Sequence, residues 1–318
     1  MKQKASTGPE TDPGRRLFNP ADYVELTVHF ACNIKCEHCM IEGTMDWLKP
    51  ESPASFERLL ALNGNERRWK ALTLTGSEVT LHPDLPAMAR RARDRGFEHV
   101  RIQTNGIRLA DAAYCHELVD AGIDEYFVSV TAADAATHDR ITKVPGSFEK
   151  TLQGLDNLDS HNSVRVLTNT VITSLSYRQL TAVVERLASL RLLVQMEFWN
   201  YWPMKATDDK DLIAPHLEVL PHLRQAIAAA HMLGRRVEVK NFPECLLGED
   251  ADILDNDQPK LVIDPAFWPE FMRNGFHQCV HRSHCGATRC LGLNTAYVNR
   301  FGWEADTLVP LPMPAAAP

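Results

Sequence analysis

No stretch of the 318-residue chain approaches the roughly 18 consecutive apolar residues that a membrane-crossing helix needs. The opening residues also lack the apolar run of a secretory leader. A basic excess is missing as well: 34 Lys and Arg stand against 41 Asp and Glu, a formal charge of −7. That balance argues against a general nucleic-acid-binding surface and agrees with ordinary solubility. Eight cysteines are too few for a disulfide scaffold at this length. The expected setting is therefore the cytoplasm, with no membrane and no nucleic acid as partner. In a reducing compartment, thiols grouped at short spacing point to metal binding or catalysis. What the chain does have is 44% hydrophobic residues, enough for one large or two modest cores.

Prolines and polar residues fill positions 1–20, and Pro310, Pro312, Pro314 and Pro318 punctuate the end, so 1–20 and 306–318 read as flexible tails. Between them, β-branched runs alternate with helical patterns. Strands are expected at Val24–Phe30, Ala71–Thr75, His99–Thr104, Tyr126–Thr131, Val164–Ile172 and Leu193–Trp199. Crossover helices are expected at Pro83–Arg95, Leu109–Ala121, Ser147–Leu158, Ser176–Leu190 and Pro215–Leu233, where apolar residues recur at three- and four-residue steps. Strand, helix, strand at about 30-residue intervals predicts a parallel α/β sheet, open or curled toward a barrel, with chemistry at the carboxyl ends of the strands. A further strand at Arg236–Phe242 precedes a loop-rich, cysteine-bearing stretch. The expected division is a core over 21–234 and a smaller unit over 235–305.

Directly after the first strand stand Cys32, Cys36 and Cys39, three thiols on one loop. Three soft ligands suit zinc or an iron-sulfur cluster and leave one position open for other chemistry. A zinc knuckle completed by His38, or buried thiols, would explain the same spacing. The loop resembles the CxxxCxxC signature of the radical S-adenosylmethionine (radical SAM) enzymes, which follows the first strand of a partial barrel. That resemblance implies a (βα)6 TIM-like core and a 4Fe-4S cluster on Cys32, Cys36 and Cys39, whose fourth iron is chelated by SAM. His38 takes the place of an aromatic residue that packs near the adenine.

The resemblance continues in Thr75-Gly76-Ser77-Glu78-Val79, similar to the family's GGEP segment with Ser77 for the second glycine and Val79 for the proline. It implies that Gly76, Ser77 and Glu78 receive the SAM amino group. Asn105 and Ser129 fall where the family surrounds the ribose and methionine tail with small polar groups. The segment His138–Phe148 is similar to one that carries an arginine for the SAM carboxylate. Thr142 occupies that arginine's place, so Arg140 or Lys143 is expected to substitute.

Four more cysteines, Cys245, Cys279, Cys285 and Cys290, follow the barrel region. They resemble the SPASM and twitch extensions that carry auxiliary clusters, which implies a second 4Fe-4S cluster. A structural zinc is the serious alternative, with His277, His281 and His284 as spare ligands. Cys115, alone in a helical stretch, reads as a packed apolar residue. Phe198, Trp199, Tyr201 and Trp202 close the sixth strand and serve either a substrate pocket or the core. No catalytic acid or base is assigned. The implied function is an oxidoreductase or modifying enzyme. It would cleave SAM reductively to a 5′-deoxyadenosyl radical and abstract hydrogen from a peptide or small metabolite, with electrons supplied by a flavodoxin or ferredoxin. The competing expectation is a zinc-binding scaffold of the same fold without catalysis.

Overall fold

The computed structural model describes residues 18–44 and 46–313. Most of the expected N-terminal tail and the last five residues lie outside the described residues. Eight strands form a single parallel sheet, ordered β7-β6-β5-β4-β3-β2-β1-β8. They are β1 Tyr23–His29, β2 Ala71–Gly76, β3 His99–Thr104, β4 Glu125–Ser129, β5 Arg165–Ile172, β6 Leu193–Asn200, β7 Arg236–Lys240 and β8 Lys260–Val262. The sheet is not closed. The expected six-stranded core is therefore present as β1–β6, and one more strand extends it at each edge.

The segment at 236–240 joins the sheet. Val237 and Val239 continue the apolar alternation, and β7 pairs with β6 from Gln195↔Arg236 to Trp199↔Lys240. The chain then spans the gap between the two sheet edges. Leu254 bridges to Val239, the Lys240 Nζ donates to the Asp255 carbonyl at 2.8 Å, and β8 pairs with β1 at Val24↔Lys260. Residues 306–313 are not loose: Leu308 is buried, and the Leu311 carbonyl accepts from the Gly286 N–H at 2.9 Å.

Helices α1 Pro53–Glu66, α2 Leu85–Asp94, α3 Ala112–Asp120, α4 Ala135–Thr142, α5 Ser147–Asp159, α6 Leu180–Arg186 and α7 His216–Met232 connect successive strands. Short helices α8 Glu244–Leu247, α9 Phe267–Phe271 and α10 Thr295–Phe301 belong to the C-terminal part. Local chemistry sets the helix starts. Ser52 caps α1 ahead of Pro53, Asp111 caps α3 through the Ala113 and Tyr114 N–H groups, and Asp134 caps α4 through Thr137.

One face of each strand packs on these helices. Val24, Leu26, Leu72, Leu74, Val100, Ile102, Tyr126 and Val128 join a continuous core with Leu85, Ala89, Cys115, Leu118, Leu155 and Val183. Cys115 is fully buried there, as its apolar surroundings led one to expect. The opposite face is polar at period two. Tyr23 and Glu25, Arg101 and Gln103, Gln195 and Glu197, and Glu238 and Lys240 line a chamber of about 50 Å³ inside the curled sheet. Buried Glu125 is satisfied by the Tyr23 hydroxyl at 2.9 Å, Arg101 Nε at 2.9 Å and Arg165 Nη2 at 2.6 Å.

Candidate active site

A cavity of about 1130 Å³ opens at the carboxyl ends of the strands. The cysteine loop forms one wall, and its shape follows from the end of α4. The last carbonyls of a helix have no partner within it; here the Lys35 N–H donates to Thr142 O at 3.1 Å and the Glu37 N–H to Ile141 O at 2.8 Å. Lys143 ends α4 in the left-handed region at φ 60° and reaches Glu37 Oε1 at 3.4 Å. On the other side, Asn105 Nδ2 donates to Asn33 Oδ1 at 2.7 Å. The loop is thus clamped between α4 and the end of β3.

Cys32, Cys36 and Cys39 all line the cavity. Burial pushes the Cys32 thiol up to about 11, opposed by the Ile34 N–H and reinforced by Glu78 and Cys39. Burial likewise raises Cys36, and the neighbouring Cys39 and Cys32 add to it. Cys39 is raised by burial against the N–H groups of Ile41 and Glu42. Buried thiols whose thiolates would repel one another stay protonated unless a cation takes the proton's place, as it does when a metal binds. Among the described residues, no three His, Cys, Asp or Glu side chains converge tightly enough for a single metal ion.

The loop after β2 is fastened to the exit of β1: Ser77 N–H donates to His29 O at 2.9 Å and Glu78 N–H to Ala31 O at 3.1 Å. Gly76 permits this approach, since at its φ of 149° a Cβ would stand 1.9 Å from the His29 carbonyl oxygen. Gly76, Ser77, Asn105, Ser129 and His38 line the cavity with the three cysteines. Burial and the nearby His138 push the His38 imidazole down to about 4, so a neutral ring faces the site.

Two expected contacts lie elsewhere. Glu78 is fully buried and does not line the cavity. Its carboxylate accepts from Thr80 N at 3.1 Å, Thr104 Oγ1 at 2.7 Å and Asn105 N at 2.7 Å. These bonds join the loops that follow β2 and β3, so Glu78 is a structural tie. Arg140 is exposed and does not line the cavity either. Thr142 does, while its Oγ1 lies 2.6 Å from Ser147 Oγ. Lys143 is engaged by Glu37.

Thr131, just past β4 in the segment that begins at Ser129, also lines the cavity; other lining residues carry no motif signal: Glu25 and Asn169 on the polar face of the sheet, and Lys260, Ile263, Phe267 and Phe271 beyond it. Polar residues at alternate strand positions were the available signal. Trp199, Tyr201 and Trp202 line the cavity, whereas Phe198 is buried in the core. Trp202 stacks on Phe271 at 6.0 Å between centroids and an angle of 27°.

Buried polar atoms without a partner gather around this cavity. Among its lining residues, His38 Nδ1, Ser77 Oγ, Thr131 Oγ1, His138 Nε2, Asn169 Oδ1 and Trp202 Nε1 are each buried and find no hydrogen-bond partner among the described residues. Such atoms are costly unless a ligand or water satisfies them. Their position beside three thiols fits a polar cofactor seated against a thiolate-bound cluster.

The cysteines of the second set lie near enough to influence one another electrostatically. Burial pushes Cys245 up to about 11; the Val309 N–H opposes this, and Cys290, Cys279 and Cys285 add to it. Two sulfurs accept backbone bonds at 3.3 Å, Cys290 from Gly292 N and Cys285 from Leu311 N. None of the four lines the large cavity, although Phe276 and Leu291 next to them do. His281 and His284 contact each other at 3.3 Å.

The chain resembles known proteins in sequence and in fold. It is 32% identical over 167 residues to a probable GTP 3',8-cyclase of Methanopyrus kandleri, covering 52% of this chain and 53% of that one. A probable GTP 3',8-cyclase of Thermoplasma volcanium is 26% identical over 271 residues, 83% of this chain and 81% of that one. The first match thus spans about half of the relative's length. Among solved structures, SuiB of Streptococcus suis bound to its precursor peptide SuiA superposes with a TM-score of 0.53 at 13% identity, over 69% of this chain and 48% of that one. Methylornithine synthase gives a TM-score of 0.53 at 10% identity, over 78% and 74%. These last likenesses are of fold. The family model described as the Radical SAM superfamily matches residues 26–187, just over half of the chain, and the protein belongs to that superfamily.

Proposed function

We propose that this radical SAM enzyme seats a 4Fe-4S cluster on Cys32, Cys36 and Cys39 and uses the large cavity to expose a small metabolite or a peptide side chain to SAM-derived radical chemistry. The observation that carries the reading is the set of six unpaired buried polar atoms ranged around one cavity beside three thiols. When bound, the cluster and SAM supply a 5′-deoxyadenosyl radical for hydrogen abstraction. This chain's part is placement. The α4 carbonyls and Asn105 hold the cysteine loop, and His38 offers a neutral planar face for the adenine. Ser77, Thr131, Ser129 and Asn169 supply hydroxyl and amide groups for the polar parts of SAM. Trp199, Tyr201, Trp202 and Phe271 form an apolar wall that excludes water and positions substrate.

The relatives' names favour a metabolite over a peptide, and the fold likeness to SuiB is compatible with either. We assign a second 4Fe-4S cluster to Cys245, Cys279, Cys285 and Cys290. Four thiolates leave no open iron position, and the set lies off the cavity, which suits electron transfer or structural support. No observation favours the zinc-scaffold reading.

Iron and sulfide quantitation on anaerobically reconstituted protein tests both sites. The expected content is roughly eight irons per chain, falling to about four when Cys32, Cys36 and Cys39 are replaced by alanine and to about four when the C-terminal set is replaced. Zinc in place of iron at either set would overturn that assignment.

A further inference from the structure

We propose that Glu25 anchors a cationic nitrogen of the substrate, so that the molecule received beside SAM is an amine-bearing compound and not a polyanion. The inference rests on the cavity being the substrate site. Glu25 sits on β1 between buried Val24 and Leu26 and lines both the large cavity and the small chamber beneath it. Among the described residues its carboxylate receives one hydrogen bond, from Gln103 Nε2 at 3.2 Å. The amide is turned that way because Thr75 Oγ1 donates to Gln103 Oε1 at 2.7 Å. Among the described residues, no cation lies within ion-pair distance of Glu25.

The cations nearby are committed to other partners. Arg101 donates to Glu125 through Nε at 2.9 Å and lies 4.4 Å over the rings of Phe18 and Tyr23. Lys240 donates to the Asp255 carbonyl at 2.8 Å and stands 3.6 Å from Glu238. Across the chamber, Glu197 takes the N–H groups of Gln195 and Trp199 at 2.9 and 2.7 Å. Arg101 and Lys240 favour the Glu25 charge from a distance, but among the described residues no cation is in contact with it. Burial pushes Glu25 up to about 7, with Arg101 opposing, Glu197 adding and Lys240 opposing. An ammonium group entering from the cavity would supply that contact and a charge-assisted hydrogen bond.

The cavity as a whole carries no excess of positive charge. Its lining carries Glu25, Glu42 and Asp46 against Lys35 and Lys260, and Glu42 is paired with Lys210. His138 is pushed down to about 4, mainly by burial, and adds no positive charge at neutral pH. A triphosphate is ordinarily met by several arginines or lysines. This lining does not provide them, and in that respect it departs from what the relatives' names would require.

Equilibrium binding to the anaerobic, cluster-loaded, unreduced protein tests the proposal, with and without SAM. The probes are benzylamine, benzyl alcohol, benzoate and GTP; the ring of the first three suits Trp199, Trp202 and Phe271. At pH 8 benzylamine is expected to bind about tenfold more tightly than benzyl alcohol, and Glu25→Gln should erase that advantage. Between pH 8 and 6 the wild-type affinity for benzylamine should fall about tenfold while that for benzyl alcohol stays level. The other titratable groups of the chamber are Tyr23, Arg101, Glu197, Glu238, Lys240, Asp255 and Asp257. Glu238 is raised into the same range, so the variant decides the assignment. The wild-type comparison stands even if the variant does not fold.

Equal binding of amine and alcohol, preference for benzoate or GTP, or an advantage that survives Glu25→Gln would overturn the proposal. Loss of SAM affinity in Glu25→Gln, without loss of amine preference, would assign Glu25 to the sulfonium instead. Failure of the wild type to bind SAM would sink the functional reading, while the amine measurement would still decide the role of Glu25.

Discussion

Glu78 Oε2 accepts the backbone N–H of Asn105 at 2.7 Å, which ties the loop after β2 to the loop after β3. Both loops carry residues that line the cavity, so a side chain outside the site sets the site's shape. Replacing Glu78 with alanine should destabilise the protein by about 2–4 kcal/mol, because Thr104 Oγ1 and Asn105 N–H lose a buried acceptor. Glu78→Gln should also destabilise, since an amide cannot accept at both positions. Denaturant unfolding of the three proteins measures this. A neutral Glu78→Ala would show that the tie is dispensable.

Gly76→Ala should be at least as damaging locally. The added Cβ would meet the His29 carbonyl oxygen at 1.9 Å, at a backbone angle that L side chains rarely adopt. The ends of β1 and β2 would have to part, and the cysteine loop starts three residues after His29. The expected result is a loss of about 2 kcal/mol or more in stability together with reduced iron occupancy. Wild-type iron content in a folded Gly76→Ala protein would contradict this.

Ser77 separates ligand binding from folding. Its Oγ is buried without a partner, so Ser77→Ala should leave stability unchanged or slightly raised. If the hydroxyl meets SAM, affinity should drop about fivefold in the same variant, the worth of roughly one neutral hydrogen bond. Calorimetric titration with SAM provides the number, and unchanged affinity would remove Ser77 from the cofactor's partners.

Glu25 should leave a mark on the pH dependence of stability. Its folded value is raised from 4.5 to about 7, chiefly by burial. Below pH 4.5 it is protonated in both states and costs nothing. As pH rises from 4.5 to 7 the unfolded chain ionises while the folded one resists, so stability falls, by up to about 3 kcal/mol from this group. Glu25→Gln should remove that decline, so the variant gains on the wild type between pH 5 and pH 8. Parallel stability profiles for the two proteins would show that Glu25 is not held protonated.

Much of the architecture can be read from local sequence because each strand is a short β-branched run. His99–Thr104 falls exactly where its pattern places it, and the other core strands differ by a residue or two at their ends. β8 is harder to see: Lys260–Val262 has only three residues after Pro259, and its pairing with β1 depends on a partner more than 230 residues away. Helix α1 carries its signal in Ser52 and Pro53, a cap and a first-turn proline. The cysteine loop is legible because cluster chemistry requires several thiols on one short segment. Glu25 is not, because a lone carboxylate between Val24 and Leu26 looks like a solvent-facing strand position until the sheet curls around it. Glu78 and Arg140 show the limit of motif reasoning. Their neighbours Ser77 and Thr142 line the cavity, but three-dimensional bonding ties Glu78 inward and solvent takes Arg140.

The measurement that bears most directly on the whole account is the product formed when the air-free, iron-loaded protein is mixed with dithionite and SAM and analysed by chromatography. The account predicts 5′-deoxyadenosine in the wild type, retained when Cys245 and its three partners are altered and absent when Cys32, Cys36 and Cys39 are alanine. Intact SAM after incubation with fully iron-loaded wild-type protein, or 5′-deoxyadenosine made without those three thiols, would contradict it.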